Sequence, residues 1–181
     1  VTIVEFSDFQ CPYCQKFFER TFPAIEEKYI ESGKVKFVYR DFPINGHTEA
    51  ELAALAGQCA HEQGRFRAMH DILFEEQLQW SGNPEAKKAI KGFGVKAGLD
   101  VKKFNSCIDN KKYVDEVRAD FISGASMGVK GTPAFFINGK YLSGAMPFEG
   151  VFQPIIEAAL AGQNWELEFD GNGVPGIKVG E

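Results

Sequence analysis

Residues 1–6, VTIVEF, form a nearly continuous apolar run, as a strand covered on both faces does, interrupted by the single acid Glu5. Ser7-Asp8-Phe9-Gln10 reads as a turn. Beyond it Phe17, Phe18, Phe22, Ile25, Tyr29 and Ile30 recur at helical spacing, which predicts a helix from Cys11 to about Ser32. Pro23 lies inside that pattern and predicts a kink or a division, and Gly33 predicts a C-terminal cap. A second strand follows over residues 35–40 and stops at Phe42-Pro43. Strand, helix and strand with a connection of this length make a parallel βαβ unit.

Periodicity then changes. Residues 49–62, 66–79, 84–92, 101–110 and 113–127 all carry helical patterns, with breaks at Gly64, Ser81-Gly82-Asn83-Pro84, Gly98-Leu99-Asp100 and Gly128. Asp100 is placed to cap the helix that follows it. Strand signals return at Ala134-Phe135-Phe136-Ile137 and Tyr141-Leu142, joined by Asn138-Gly139, a strong hairpin signal. An amphipathic helix is expected over 147–161, and the Gly-rich, acidic tail 162–181 is left unplaced. The order is β-α-β, a block of helices, then β-β-α. The predicted organisation is a core of 1–46 and 129–161, an inserted all-helical domain over 47–128, and the tail.

The chemistry concentrates where the first strand meets the first helix, in Cys11-Pro12-Tyr13-Cys14. Pro12 suits the first helical turn, where an N–H is not needed. Cys11 then lies at the helix start with Cys14 three residues on, close enough to close a small disulfide ring. Unpaired N–H groups and the helix dipole at this end favour a thiolate at Cys11. Cysteines so placed titrate from roughly 3.5 to 7.5, against about 8.5 when free. A metal site would need two or more further ligands at suitable spacing, whereas Cys59 and Cys107 stand singly, with His47, His61 and His70 scattered. No metal is expected. A purely structural Cys11–Cys14 bond would close too short a loop to stabilise much. A lone acid such as Glu5 in a core strand must be exposed, paired or protonated. The residues alone leave Cys59 and Cys107 as either two buried thiols or a bond across the helical block.

Composition adds exclusions. With 181 residues, 44% hydrophobic, the chain can bury a sizeable core, and 17 Phe residues point to an aromatic one. A net charge of −5 argues against nucleic acid as a partner. Nothing approaches an 18-residue apolar run. The chain opens with Val1 directly on a core strand, which predicts that a leading signal or anchor segment is missing from it.

Four stretches, VTIVEFSDFQCPYCQKF, VYRDFPINGH, QCAHEQGRFRAMHDILFEEQ and GVKGTPAFFINGK, together resemble the DsbA-like thiol–disulfide oxidoreductases of the thioredoxin superfamily, in the branch with BdbD-like proteins. The likeness spans about residues 1–161 in consistent order. It implies an α/β protein, a thioredoxin fold with an inserted helical domain, that oxidises protein thiols outside the cytoplasm, in the periplasm or at the outer face of the membrane. It implies Cys11 as the exposed nucleophile and Cys14 as the buried resolving thiol. Thr132 and Pro133 match the cis-proline loop facing them, where substrate would pair, with Pro12 and Tyr13 beside it. Glu5 would accept the proton of Cys14, and the branch favours a structural Cys59–Cys107 bond. No cofactor is implied. The implied partners are thiol-containing proteins and a membrane-bound, quinone-linked reoxidase, and the chain is expected to be a monomer. Phe9, Tyr13, Met146 and Phe148 could line a substrate groove, with core packing the competing reading for the two Phe. Isomerase and reductase are alternatives of the same class, as is glutathione-linked activity, since Cys-Pro-Tyr-Cys is also the glutaredoxin sequence. A redox-inactive peptide-binding chaperone or metal carrier is an alternative of another class.

Overall fold

The computed structural model describes residues 1–180. The opening apolar run is strand β1, Thr2–Ser7, and a turn leads from it into helix α1, Pro12–Arg20. The single helix expected to run to Ser32 is three pieces. Helical geometry breaks at Thr21, where φ is −116°, then resumes as the one-turn α2, Phe22–Ile25, and a wider π-type turn, Glu26–Ile30. The break precedes Pro23 because the proline ring fits a first helical turn and clashes in an interior.

Strand β2, Lys36–Asp41, pairs in parallel with β1. Six helices follow: α3 Ala50–His61, α4 Phe66–Glu75, α5 Gln77–Trp80, α6 Ala86–Lys96, α7 Val101–Asp109 and α8 Val114–Ser126. Asp100 caps α7, its Oδ1 accepting from the N–H groups of Lys102 and Lys103 at 3.1 Å each. The hairpin of β3, Ala134–Ile137, and β4, Lys140–Ser143, turns at Asn138 and Gly139, both at positive φ, which matches the strand twist. The sheet order is β2-β1-β3-β4, with β1/β3 and β3/β4 antiparallel. A π-type turn, Phe148–Phe152, leads into α9, Gln153–Leu160.

One face of the sheet packs Ile3, Phe135 and Ile137 against α1, α2 and α9, with Phe17 and Phe135 centred 4.6 Å apart. The other face buries Phe6, Phe42 and Phe136 beneath α8, whose Phe121 stacks on Phe42 at 4.6 Å. Within the helical block expected over 47–128, α3, α4, α6 and α7 share a core with Met69, Phe74, Trp80 and Phe104, whereas α8 lies on the sheet. This is the thioredoxin arrangement with a helical insert.

The tail left unplaced by its composition forms a second hairpin, β5 Asn164–Phe169 and β6 Pro175–Gly180, with only Glu181 outside the described residues. Trp165, Leu167 and Phe169 alternate with acids, and the Asp170 side chain accepts from the N–H groups of Asn172 and Val174 to close the turn. Trp165 is buried with Phe148, Ile155 and Ile156, and Lys140 Nζ sits 4.6 Å from its ring centre.

Candidate active site

Cys11 is the N-cap residue of α1, with φ −74° and ψ 124°, and Pro12 follows in the first turn. No side chain caps this end, so its N–H groups remain free to face the Cys11 sulfur. Both cysteines are free thiols. The Cys11 thiol donates to the Thr132 carbonyl at 3.4 Å, and the Asp8 N–H donates to Cys14 Sγ at 3.5 Å. The Thr132–Pro133 peptide is cis. Thr132 Oγ1 is buried without a settled partner and lies near enough to Cys11 to favour its thiolate.

The two sulfurs are electrostatically opposite. The Cys14 thiol, donating to Cys11, leads the effects that pull Cys11 down to about 6, with help from Thr132 and the N–H groups of Cys14 and Tyr13. Burial, and then the hydrogen bond given to Cys11, pushes Cys14 well above the ordinary thiol range. Glu5 lies beneath them in β1, 2% exposed, and burial raises its carboxyl to about 8. Of the three states open to a lone core acid, the fold selects burial in the protonated form at neutral pH.

The resemblance implies an exposed nucleophile, and here the structure differs: Cys11 is 3% exposed. The cause is its place in the helical-block core, in one cluster with Phe9, Phe74 and Trp80. Phe9, stacked on Tyr39 at 5.1 Å, and Phe148, beside Tyr29, are buried core residues, as the competing reading had it. Pro12 and Tyr13 are exposed, Tyr13 by 63%, and Met146 is half-buried. Cys59 and Cys107 are bonded, their Cα atoms 5.9 Å apart, tying α3 to α7. Among the described residues no cluster of three His, Cys, Asp or Glu side chains could hold a metal ion.

Two positioning residues were not singled out by the sequence reading. Gln77, at the start of α5 and buried, donates through Nε2 to the carbonyls of Phe9 at 2.6 Å and Cys11 at 3.3 Å. Nothing local marks it, because its acceptors lie 68 and 66 residues away. Asp8, also buried, accepts from the N–H groups of Gln10 at 2.8 Å and Ile44 at 2.9 Å, and pairs with His47 Nδ1 at 2.7 Å. Its signal was present: an Asp opening a turn two residues ahead of its acceptor's donor is an Asx turn.

The family model described as Thioredoxin matches residues 1–158. The chain belongs to the thioredoxin family. Its relatives include the Na(+)/H(+) antiporter NhaA 3 of Salinispora tropica, 31% identical over 160 residues that make up 87% of this chain and 23% of the relative. A putative protein-disulfide oxidoreductase of Rickettsia bellii is 28% identical over 142 residues, 77% of this chain and 53% of the relative. The chain thus spans about a quarter of the length of the first of these relatives and about half of the second. Among solved structures, oxidised BdbD from Bacillus subtilis superposes with a TM-score of 0.80 at 24% identity, covering 88% of this chain and 87% of that one. The likeness to DsbA- and BdbD-type proteins expected from the sequence therefore holds for the fold. Among the described residues, no helix is long and apolar enough to cross a membrane.

Proposed function

We propose that this chain is a protein thiol–disulfide oxidoreductase acting as an oxidase, with Cys11 as nucleophile and Cys14 as resolving thiol. One observation carries the reading: Cys11 stands at the uncapped start of α1 with its sulfur against the Thr132 carbonyl and Cys14 buried behind it, an arrangement that lowers the first thiol and raises the second. Of the two activities in the relatives' names, the free Cys11 and Cys14 support disulfide exchange.

In the oxidised protein a substrate thiolate attacks Cys11 Sγ. The Cys11–Cys14 bond breaks, its electron pair leaves on Cys14, and Cys14 takes a proton from the Glu5 carboxyl. A second substrate thiolate then attacks the substrate sulfur of the mixed disulfide, and Cys11 leaves as the stabilised thiolate. The substrate loses two electrons and the Cys11–Cys14 pair gains them. A low-pKa leaving group speeds the second step and stabilises the reduced pair, which makes the disulfide the more oxidising.

The Cys11 sulfur lies against the Thr132 carbonyl, and the exposed Pro12 and Tyr13 follow it in the chain. That arrangement suits an extended segment of an unfolded protein, pairing with the backbone at Thr132 as an added strand. We place the activity outside the cytoplasm, with a membrane-bound quinone-linked reoxidase restoring the disulfide and the chain working as a monomer. The Cys59–Cys107 bond fits such a compartment.

The deciding experiment is oxidation of a reduced, unfolded protein substrate by wild type and Cys11→Ser, with the equilibrium potential measured against glutathione. Loss of oxidation in Cys11→Ser and a potential well above about −200 mV are expected. Unchanged oxidation by Cys11→Ser refutes the enzyme reading. A potential near −270 mV makes the protein a reductant instead.

A further inference from the structure

Resting on the oxidoreductase reading, we propose that Asp8 and His47 are positioning residues for Cys14 as leaving group. His47 grips the Asp8 carboxylate, and Asp8 so held keeps its own N–H on the Cys14 sulfur.

Asp8 lies buried in the turn between β1 and α1, and its main chain touches both cysteines. Its carbonyl accepts from the Cys11 N–H at 3.0 Å, and its N–H donates to Cys14 Sγ at 3.5 Å. The side chain is held at both oxygens. Oδ1 accepts from the Gln10 N–H at 2.8 Å, and Oδ2 from the Ile44 N–H at 2.9 Å and from His47 Nδ1 at 2.7 Å. A carboxylate only accepts, so the proton between them sits on His47 Nδ1. Burying a carboxylate is costly unless it is well paired, and three donors meet this one.

Ile44 and His47 belong to the segment that leaves β2 and enters the helical insert. The same segment fastens the turn at two further points. The Phe42 N–H donates to the Ser7 carbonyl at 2.8 Å, and the Glu49 N–H donates to Gln10 Oε1 at 2.9 Å. The Ser7 carbonyl and the Asp8 N–H are the two ends of one peptide group. That peptide is therefore held by Phe42 at its oxygen, and the residue that follows it is held by His47, Ile44 and Gln10.

The arrangement serves the step in which a thiolate attacks Cys11 Sγ. The electron pair of the Cys11–Cys14 bond moves onto Cys14 Sγ, which is fully buried, so water does not meet the charge. A fixed N–H aimed at that sulfur meets it without reorganisation. The N–H keeps its own proton, and the Glu5 carboxyl supplies the one that completes the thiol. Hydrogen bonds to an ionised acceptor are roughly twice as strong as neutral ones, so the N–H favours the transition state over the disulfide and the thiol. His47 touches no reacting atom and acts only through Asp8.

The test compares a step in which Cys14 leaves with one in which it takes no part. The first is single-turnover reduction of the oxidised full chain by dithiothreitol. The second is release of glutathione by dithiothreitol from a Cys11–glutathione mixed disulfide in a Cys14→Ser background. His47→Ala is expected to slow the first step about three- to tenfold and to leave the second within about twofold, and Asp8→Ala to slow the first further. The equilibrium of His47→Ala with glutathione is expected to move less than about twofold, because a neutral thiol at Cys14 gains little from the N–H. His47→Asn places an amide N–H where Nδ1 stands and is expected to restore most of the first-step rate. A first step within about twofold of wild type in His47→Ala overturns the proposal. Equal slowing of both steps, an equilibrium shift as large as the rate loss, or no recovery in His47→Asn makes the role structural and overturns it too. His47 is partly exposed, so its two variants decide alone if Asp8→Ala does not fold. Failure of the wild-type protein to exchange disulfides with dithiothreitol overturns the oxidoreductase reading instead.

Discussion

The depressed Cys11 pKa makes a prediction that pH alone can perturb. The Cys11 thiol titrates at about 6 in the fold against a reference of 9.0. A group whose folded pKa is lowered contributes stability that is complete above the reference value and disappears as pH falls through the folded one. At pH 7 the ratio of the two binding polynomials is about 11, so the thiolate stabilises the reduced fold by about 1.4 kcal/mol, or about 30 mV for the two-electron couple. At pH 5 the same sum leaves less than about 0.1 kcal/mol. Glu5 and Asp41 are raised chiefly by burial, which both redox forms share, so the assay is the difference in urea unfolding free energy between reduced and oxidised protein. That difference is expected to move by about 1.4 kcal/mol against the reduced form from pH 7 to pH 5, with a thiolate absorbance midpoint near 6. A midpoint at 8.5 or above, or a redox difference that does not change with pH, refutes the electrostatic account of Cys11.

Four other outcomes follow from the packing. Replacing Cys59 and Cys107 by Ala opens a 48-residue loop, and chain entropy puts the cost at about 4 kcal/mol, or about 2 M in urea midpoint; an unmoved midpoint refutes it. Gln77→Ala leaves the Phe9 carbonyl without its donor and is expected to cost about 1–3 kcal/mol in urea unfolding and to change the alkylation rate of Cys11. A Cβ at residue 124 would stand 2.8 Å from ring carbons of Phe6 and Phe42, so Gly124→Ala should lose about 1–3 kcal/mol in the same assay. Glu5 carries a raised pKa, so its contribution is complete below 4.5 and lost as pH rises through about 8. Glu5→Gln is therefore expected to gain more stability relative to wild type at pH 8 than at pH 5.

How far the sequence can be read depends on how local each cause is. The start of α1 was legible because Pro12 restricts its own backbone and leaves Cys11 at the cap, and the β3–β4 turn because Asn138-Gly139 tolerates positive φ. The tail hairpin carried its alternation in plain view, and its glycines and acids masked it. The division of the first helix at Thr21 was half legible: Pro23 announced a break, while its place depended on which turn the proline could occupy.

The residues that support the cysteine pair are divided in the same way. Cys11, Cys14, Thr132 and Pro133 are recognisable as a pattern along the chain, and Glu5 stands out as an acid among apolar neighbours. Gln77 does not, since a glutamine in a helical stretch is ordinary until the insert folds it onto the Phe9 carbonyl. Nor could His47 be joined to Asp8 before the fold brought the segment after β2 to the turn. By itself, then, the sequence determined the order of elements as far as residue 161, the helix-start cysteine pair and the lone acid in the strand before it, because backbone restriction and hydrophobic periodicity act within a few residues. Only the tertiary structure decided that Cys11 is covered, that Cys59 meets Cys107, and that His47 meets Asp8. Burial and register arise from segments far apart in the chain, and no local preference encodes them.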